Sequence, residues 1–576
     1  MNDTSPARAI GLGSGILLFL ALLPFLAWAY FLNQYGVEIP YQDQWDTPYR
    51  AIYEAASGNF SFATYFLQHN EARKVVPTTL SAGLAALMGK WDTKTELFIG
   101  FSLCAVLVTA LFAAARRTHA LSHWDAAFLT FLFSWLLWSP LTWYFHTWSI
   151  TFERLIPEAS LIVGAWLALK SRGALGHILV FALLAAVAQY SYPGGVILWP
   201  LLGLLLIRRK LCGDQVRWGS LALYALLFAL SVTAYFNNYQ HPPHHTPLSA
   251  VLDQSPLVAT GFFLAFLGRP FANTPLLMAA LGGVSLLLFG IGLYRAQQEQ
   301  PLGVRTWVWA VVGLYSISQS LLVTAGRLPM APGSILRQDY VTHGIYLLVA
   351  GVALNFSSNS NRFKGLRRAV IPVALIILIV TFASGMESPS ALERMRKWHQ
   401  DLTAARSCLL IANHFGESLN CPGELYPESN IPISKAGLGL KYGFLNLGKF
   451  QEISEPASGH VDSYIVTANG IKMSGWAGSG PNRADVVIVL RDKDYSGNKL
   501  IAMFPVTDPR PDVAEVIAPE LIYSGWSGEI PTRRFPGENL LKVLCTLRAV
   551  GFNSKSGNAF PLVWHRPNCP TTASVE

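Results

Sequence analysis

The sequence predicts a polytopic α-helical membrane protein of about eleven spans, followed by a C-terminal β-sandwich domain outside the membrane. Three observations carry this prediction. The 576-residue chain is 52% hydrophobic and only 13% charged, whereas an ordinary soluble domain has about 25% charged residues. Long uncharged runs alternate with short basic segments as far as Met386. After Met386, short Val- and Ile-rich stretches alternate with turn residues.

The predicted spans are uncharged runs of a length that suits a hydrocarbon core of about 30 Å. The run 173–207 is too long for one crossing, and Pro193, Gly194 and Gly195 interrupt it, so we predict two short spans there. We expect the first run to be a retained span and not a cleaved signal peptide. The eleven spans are Ile10–Leu32, Phe98–Ala115, Ala126–Pro140, Arg154–Leu169, 174–189, 194–207, Trp218–Phe236, Leu276–Tyr294, Thr306–Ala325, Val341–Phe356 and Ala369–Met386.

The basic segments between these spans set the predicted orientation. With the split at Pro193, all of them fall on one side, which the positive-inside rule makes cytoplasmic together with the N-terminus. Three longer loops, 33–93, 237–274 and 326–340, are then external. Within these loops we expect interfacial or re-entrant helices at 78–91 and Pro256–Gly268. Because the basic residues are topology signals, we expect no nucleic-acid partner.

The C-terminal third divides into two predicted parts. A helical connector, 387–457, begins with the helical stretch Ala391–Phe415, and a β-sandwich follows at 458–576. Four of the six cysteines lie in this external part, which suits an oxidising compartment. We predict the disulfides Cys408–Cys421 and Cys545–Cys569 by proximity, with buried free thiols as the alternative.

Loop 33–93 concentrates ionisable side chains that suit catalysis. Asp43 and Asp46 flank Trp45, and the stretch "HNEARK" adds His69, Glu71, Arg73 and Lys74. A carboxylate against aromatic surroundings tends to have a raised pKa, which suits a general base near neutral pH. The simpler alternative is that these are solvated loop charges beside interfacial aromatic residues.

Histidines and arginines mark the other external loops. His241, His244 and His245 lie between prolines without a carboxylate or thiolate at ligand spacing, so shaping a cavity is favoured over zinc binding. Arg327 and Arg337 follow a predicted span, where snorkelling to the bilayer surface is the alternative to a binding role. Sequence motifs of nucleotide-binding proteins and of soluble hydrolases do not occur in this chain in a structural context that would support their function.

In this order, the stretches "PYQDQWDTP", "HNEARKVVP", "YSYPGGVILWP", "YFNNYQHPPHH" and "GRLPMAPGSILRQDY" resemble the GT-C class of bacterial integral-membrane glycosyltransferases. The resemblance covers most of residues 10–425, although the acidic pair is spaced D-x-x-D and not D-x-D. It implies a GT-C-like domain at 1–386 with catalytic external loops. It also implies transfer of a sugar from a polyprenyl-phosphate donor to an envelope glycan or a lipid-linked acceptor, such as O-antigen, at the periplasmic face of the inner membrane.

The resemblance and the chemistry together assign roles to residues. We expect Asp43 to be the base, with Asp46 or Glu71 orienting the substrate, and Arg73, Lys74, Arg327 and Arg337 binding the donor phosphate. Cavity-lining residues are expected to be Trp45, His69, Glu158, Tyr192, His244, His245 and Tyr340. No cofactor is implied, a divalent metal is left open, and a donor flippase and a donor-synthesising enzyme are expected partners. An O-antigen-type polymerase or ligase, a glycolipid transporter or flippase, and a binding protein remain alternatives.

Overall fold

The computed structural model describes most of the chain. The described residues are 11–118, 121–169, 175–212, 216–242, 246–299, 303–329, 333, 335, 340–357, 364–416, 421, 425–428, 430–453, 459–493 and 497–565. They form two compact units. Unit 1 comprises Met1–Gly36, Ser61–Ser81 and Thr95–Met395, and unit 2 comprises Val37–Phe60, Ala82–Lys94 and Arg396–Glu576. Segment Val37–Phe60, which lies in a predicted external loop of the membrane domain, therefore folds with the C-terminal part of the chain.

Helices predominate as far as Met386. They are α1 (Leu12–Tyr35), α2 (Tyr49–Ala56), α3 (Phe62–Tyr65), α4 (Val75–Met88), α5 (Thr93–Arg117), α6 (His123–Leu137), α7 (Trp143–Thr147), α8 (Phe152–Ala168), α9 (Leu175–Gln189), α10 (Leu198–Leu211), α11 (Trp218–Phe236), α12 (Pro256–Gly268), α13 (Pro275–Glu299), α14 (Val304–Arg327), α15 (His343–Ser357) and α16 (Lys364–Met386). A two-stranded hairpin, β1 (Gln68–His69) and β2 (Ala72–Arg73), precedes α4.

Every predicted span overlaps a helix, but the helices differ in how well they suit a membrane. Within the described part of the chain, six helices are long and apolar enough to cross a membrane. A seventh span results if the bent pair of helices His123–Leu137 and Pro140–Thr147 counts as one span. The chain is therefore a helical protein with several candidate membrane spans, and the count of eleven stays a prediction. Large apolar side chains such as Leu12, Phe19 and Leu26 are more than half exposed, which suits contact with lipid.

The break at Pro193 is confirmed, and packing explains it. Helix α9 ends at Gln189, a short 3₁₀ helix covers Pro193–Ile197, and α10 begins at Leu198. A Cβ on Gly195 would lie 1.9 Å from the carbonyl oxygen of Ala188, so only glycine allows the chain to fold back this closely.

Side-chain contacts bring the basic helix ends of unit 1 to one end of its helix bundle. Arg117 at the end of α5 lies 5.0 Å from the ring of Trp166 near the end of α8. Arg208 at the end of α10 lies 5.7 Å from the ring of Trp307 near the start of α14. Arg295 near the end of α13 donates to Asn355 near the end of α15. The far ends of α8 and α14, at Glu153 and Arg327, therefore lie at the opposite end of the bundle.

Unit 2 combines helices with two β-sheets. The first turn of α17 belongs to unit 1 and the rest of that helix to unit 2. The elements after α16 are α17 (Ala391–Phe415), α18 (Asn430–Lys441), β3 (Gln451–Glu452), β4 (Gly459–Val466), β5 (Gly470–Ser479), β6 (Asn482–Arg483), β7 (Val486–Lys493), β8 (Gly497–Pro505), α19 (Pro511–Val516), β9 (Gly525–Pro531), α20 (Leu540–Leu544), β10 (Leu547–Asn553) and β11 (Asn558–Pro561). The first sheet has the strand order β3-β11-β10-β7-β8. In the second sheet, β5 pairs with β4, β6 and β9.

Alternating side chains of β7 enter two different hydrophobic cores. Val487 and Val489 join Ile471 of β5 and Ile530 of β9 in a core shared by the two sheets. Val486, Ile488 and Leu490 point to the other face and pack with α17, α18 and segment Val37–Phe60. A strand-rich C-terminal region is thus confirmed, while its assignment as a β-sandwich stays a prediction.

One predicted strand segment is wrong in its first half. The stretch 540–550, "LLKVLCTLRAV", is one of the apolar stretches from which the β-sandwich at 458–576 was predicted, but Leu540–Leu544 is helical and β10 begins only at Leu547. The side-chain oxygen of Asn539 accepts hydrogen bonds from the backbone N–H groups of Leu541 and Lys542. This N-cap stabilises a helical turn in spite of the Val- and Leu-rich sequence.

The disulfide Cys408–Cys421 is confirmed. Cys545 is also disulfide-bonded. Its predicted partner Cys569 lies outside the described residues, so this pairing stays a prediction.

Candidate functional site in unit 1

A tight hairpin places Glu71 at a half-buried tip. Strands β1 and β2 pair His69 with Ala72, which leaves Asn70 and Glu71 as a two-residue turn. Asn70 has φ +51°, a left-handed conformation that asparagine tolerates better than most residues. His69 is half-buried in the strand before the turn.

Arg73 anchors this hairpin to the segment after α11. Its Nε donates to the carbonyl of Tyr235 at 2.6 Å, its Nη2 donates to the carbonyl of Asn237 at 2.5 Å, and its Nη1 donates to the carbonyl of Phe66. Gln68 adds a hydrogen bond to the backbone of Gln240 in each direction. The guanidinium of Arg73 is thus engaged by backbone carbonyls, and its predicted phosphate role would require it to leave them.

Glu71 forms an ion pair with Arg327, the last residue of α14. The distance from Arg327 Nη2 to Glu71 Oε1 is 3.0 Å. The guanidinium of Arg327 also lies 5.9 Å from the centre of the Tyr340 ring. Burial, and to a smaller extent the charge of Glu71, raises the pKa of Tyr239. Three predicted site residues, Glu71, Arg327 and Tyr340, therefore meet.

A second ion pair lies at the start of α8. Lys74 Nζ is 3.1 Å from Glu153 Oε2, and the two side chains are only 8% and 4% exposed. The next residue, Arg154, is buried and lies over two aromatic rings, 4.7 Å from Tyr340 and 5.5 Å from Tyr192. Tyr340 therefore contacts both Arg154 and Arg327.

We name these residues the cationic cluster: Glu71, Lys74, Glu153, Arg154, Tyr192, Arg327 and Tyr340. It contains three cations and two carboxylates, which leaves one excess positive charge. Two of the cations are guanidinium groups, whose planar donor arrangement suits phosphate. The excess positive charge can attract a phosphate group, while the tyrosine rings hold the guanidinium groups in place through cation–π contacts.

Glu158 lies one turn further along α8 than Arg154 and is completely buried. Its Oε1 accepts from Thr342 Oγ1 at 2.7 Å and lies 3.1 Å from His343 Nδ1. Its Oε2 accepts from Tyr346 Oη at 2.7 Å. The other ring nitrogen of His343, Nε2, is buried without a hydrogen-bond partner. The predicted cavity residue Glu158 is thus the centre of a polar network inside the bundle.

A pocket of about 740 Å³ opens beside the hairpin. Its polar lining comes from β1, the hairpin turn and the segment 237–242, including Gln68, Asn70, Asn238 and His241. His244 and His245, which were expected to line a cavity in this part of the chain, lie outside the described residues.

Asp43 and Asp46 belong to unit 2, where the carboxylate of Asp46 has two side-chain partners. Lys435 Nζ lies 2.9 Å from Asp46 Oδ1, and Tyr426 Oη donates to Asp46 Oδ2 at 2.8 Å. Partial burial raises the pKa of Tyr426 to about 12, and the neighbouring charges of Asp46 and Asp43 add to this effect. The two aspartates therefore share one polar surface with Tyr426 and Lys435.

Trp45, the residue before Asp46, packs its side chain into the hydrophobic core and so anchors the loop that carries the two aspartates. Its side chain has no exposed area and packs in the hydrophobic core of unit 2 with Tyr49 and Ile52. Lys435 donates to its backbone carbonyl. Trp45 therefore holds the loop in place, whereas its predicted cavity-lining role remains without support.

Several residues of both sites were not assigned from the sequence. Arg154, His343 and Tyr346 in unit 1, and Tyr426 and Lys435 in unit 2, contact the predicted residues directly. The charges of Arg154 and Glu158 within an apolar helix were the available signal, because such charges inside a bundle are usually functional. The other contacts arise only from packing.

The phosphate-binding role expected for Arg337 stays a prediction. Arg337 lies outside the described residues. Among the residues that the structure describes, three or more His, Cys, Asp or Glu side chains nowhere converge in a metal-binding group. No family model and no curated protein sequence matches this chain.

Proposed function

We propose that the chain is a membrane glycosyltransferase that moves a sugar from a polyprenyl-phosphate donor to an envelope glycan or a lipid-linked acceptor. The observation that supports the proposal is the cationic cluster. It gathers Lys74, Arg154 and Arg327 beside two tyrosines at one end of the helix bundle. Departure of a lipid phosphate places negative charge at a membrane surface, and clustered guanidinium groups stabilise such charge.

The reaction needs two kinds of side chain. The acceptor hydroxyl oxygen bonds to the anomeric carbon of the sugar while the bond from that carbon to the phosphate oxygen breaks. A carboxylate takes the hydroxyl proton, and Arg154 and Arg327 stabilise the departing phosphate. Asp43 is our predicted base, and Glu71, which is paired with Arg327, is the competing assignment.

The proposed orientation follows from the bundle ends. Basic side chains gather at the end opposite the cationic cluster, and the positive-inside rule makes that basic end cytoplasmic. The cluster would then face the periplasm of a bacterial inner membrane, with residues after Met386 also outside. A reporter that is active only in the cytoplasm, fused after residue 390, should be silent, whereas an active fusion would overturn this orientation.

Arg154→Gln tests the enzyme proposal. Loss of one group that stabilises developing charge typically costs about 10²–10³ in kcat, and we also expect weaker donor binding. Arg295→Gln is the matched control, because Arg295 is also buried but donates to Asn355 outside the cluster. Transfer from labelled polyprenyl-phosphate sugars should be measured with both purified proteins in lipid nanodiscs. Wild-type kinetics in Arg154→Gln would contradict the proposal.

A lipid-linked sugar carrier is the second candidate, and the buried network around Glu158 favours it. Proton-coupled carriers place ionisable groups inside the bundle, and Glu158 with His343 forms such a pair. Glu158→Gln should then abolish transbilayer movement of a fluorescent polyprenyl-phosphate sugar that a pH gradient drives in vesicles. Gradient-independent distribution of this lipid in wild-type vesicles would exclude the carrier.

A further inference from the structure

The pocket beside the hairpin differs chemically from the cationic cluster. Most of its polar lining residues carry a side-chain amide, and they are Gln68, Asn70, Asn237, Asn238 and Gln240, together with His241 and Arg73. Each amide offers both hydrogen-bond donors and an acceptor, as a hydroxyl group does. The lining therefore matches a ligand that carries many neutral hydroxyl groups.

The charge of the pocket argues against a phosphate ligand. Arg73 is the one charged residue among its described lining residues. Its guanidinium already donates to the carbonyls of Tyr235, Asn237 and Phe66. A phosphate in the pocket would have to break these hydrogen bonds, whereas the cationic cluster offers it two further arginines.

The pocket walls are held in place before any ligand arrives. Gln68 accepts from the N–H of Gln240 at 3.0 Å and donates to its carbonyl at 2.5 Å, so the two walls are joined. Arg73 fixes the hairpin to the end of α11. Walls that are already ordered reduce the entropy that a ligand loses on binding.

Size and position complete the argument. A volume of about 740 Å³ falls within the range of small-molecule sites. Phe66 also lines the pocket and offers an aromatic surface for the C–H groups of a sugar ring. Asn70 lines the pocket, and the next residue, Glu71, is paired with Arg327 of the cationic cluster. A residue of the pocket lining is thus followed directly in the sequence by a residue of the proposed phosphate site.

We propose that this pocket binds a neutral sugar unit of the acceptor, an assignment that rests on the proposed glycosyl transfer. Acceptor and donor phosphate would then occupy separate sites on the two sides of the hairpin tip. The pocket selects neutral hydroxyl-rich groups, and the cluster selects the anionic group. Glu71 lies where the two sites meet.

Ala234→Trp and Ala63→Trp test the assignment by filling the pocket. Both alanines line it and are exposed, so a larger side chain needs no rearrangement of a core. Ala229→Trp is the matched control, because it makes the same change at an exposed position of the same helix, α11, outside the pocket lining. Gel filtration and thermal unfolding of the full-length protein in nanodiscs should show that all three variants are folded.

Binding of glucose, galactose, mannose and rhamnose at millimolar concentration should be followed by saturation-transfer NMR, with inorganic phosphate as competitor. We expect at least one sugar to bind wild type and Ala229→Trp, to be lost in both filling variants, and to be unaffected by phosphate. Binding that survives both filling variants, competition by phosphate, or no binding of any sugar to wild type would overturn the assignment.

Transfer assays separate this inference from the proposed function. Sugar binding that the filling variants abolish, in a protein that transfers nothing from lipid donors, would support the pocket and refute glycosyl transfer. Wild-type transfer with an unchanged acceptor KM in Ala234→Trp would refute the pocket and leave glycosyl transfer standing.

Discussion

Replacing Lys74 by methionine distinguishes a structural ion pair from a phosphate ligand. The sequence predicted that Lys74 binds the donor phosphate, whereas its ammonium lies 3.1 Å from Glu153. The side chains are only 8% and 4% exposed, so both charges have lost nearly all of their water. Methionine keeps the length and apolar stem of lysine but removes the charge.

The expected cost follows from this burial. Removing one partner of a buried pair leaves the other charge uncompensated, which typically costs about 3–5 kcal/mol. Lys74→Met should therefore unfold at a clearly lower temperature than wild type. Lys74→Met combined with Glu153→Met replaces both charges by apolar groups, and such replacements are often neutral or stabilising. The double variant should recover most of the lost stability.

A surface ion pair supplies the control. Lys472 lies 4.0 Å from Glu529, and the two side chains are 59% and 38% exposed. Exposed pairs contribute about 0–1 kcal/mol. Lys472→Met should therefore leave the unfolding temperature almost unchanged.

Thermal unfolding of the purified variants, followed by tryptophan fluorescence, measures the stability terms. Donor transfer by the double variant then decides the role of Lys74. A folded double variant that transfers sugar would show that Lys74 compensates the buried charge of Glu153 and is not needed to bind the donor phosphate. A folded double variant that no longer binds donor, or a single variant as stable as wild type, would refute the structural reasoning.

Four further predictions concern unit 2. Asp43→Asn should lower the transfer rate about 10²–10⁴-fold without unfolding the protein, because a general base is lost. Asp46→Asn should mainly lower the unfolding temperature, because it weakens the contacts with Lys435 and Tyr426. Wild-type turnover in Asp43→Asn would contradict the first expectation. Cys421→Ser opens a disulfide that joins residues 13 positions apart and should cost about 3 kcal/mol of unfolding free energy, with no change expected if the bond is absent in the purified protein. Burial raises the pKa of Asp485 in spite of its hydrogen bonds, so its contribution to stability is present below the unfolded pKa and is lost as the pH rises through the folded pKa. Asp485→Asn should flatten the dependence of the unfolding temperature on pH, and an unaltered dependence would count against this.

Local sequence signals predicted the helices well. The predicted span Trp218–Phe236 and the predicted connector helix Ala391–Phe415 have the same bounds in the structure. Both segments are continuous runs between breakers, and helix formation depends mainly on residues within one or two turns. The segment 540–544 failed for the same reason, because the cap by Asn539 outweighed its strand-forming residues.

The candidate site was predicted less completely. Glu71, Arg327 and Tyr340 were predicted together and do meet. Asp43 and Asp46 were grouped with them because both aspartates lie, like Glu71, in the loop 33–93, which the sequence predicts to be external. Their loop instead packs into unit 2, where Trp45 joins a core built largely from residues after 400.

The sequence by itself determined the class of the protein, a helical chain with apolar spans, a strand-rich C-terminal region and a disulfide between Cys408 and Cys421. These features depend on composition, periodicity and short separations along the chain. Only the tertiary structure decided which charged groups meet. Glu71 and Arg327 are 256 residues apart, and Glu158 and His343 are 185 apart. Such pairs form because packing brings the hairpin turn to the end of α14 and brings α8 beside α15, and no pattern within one of these segments records which partner it will contact.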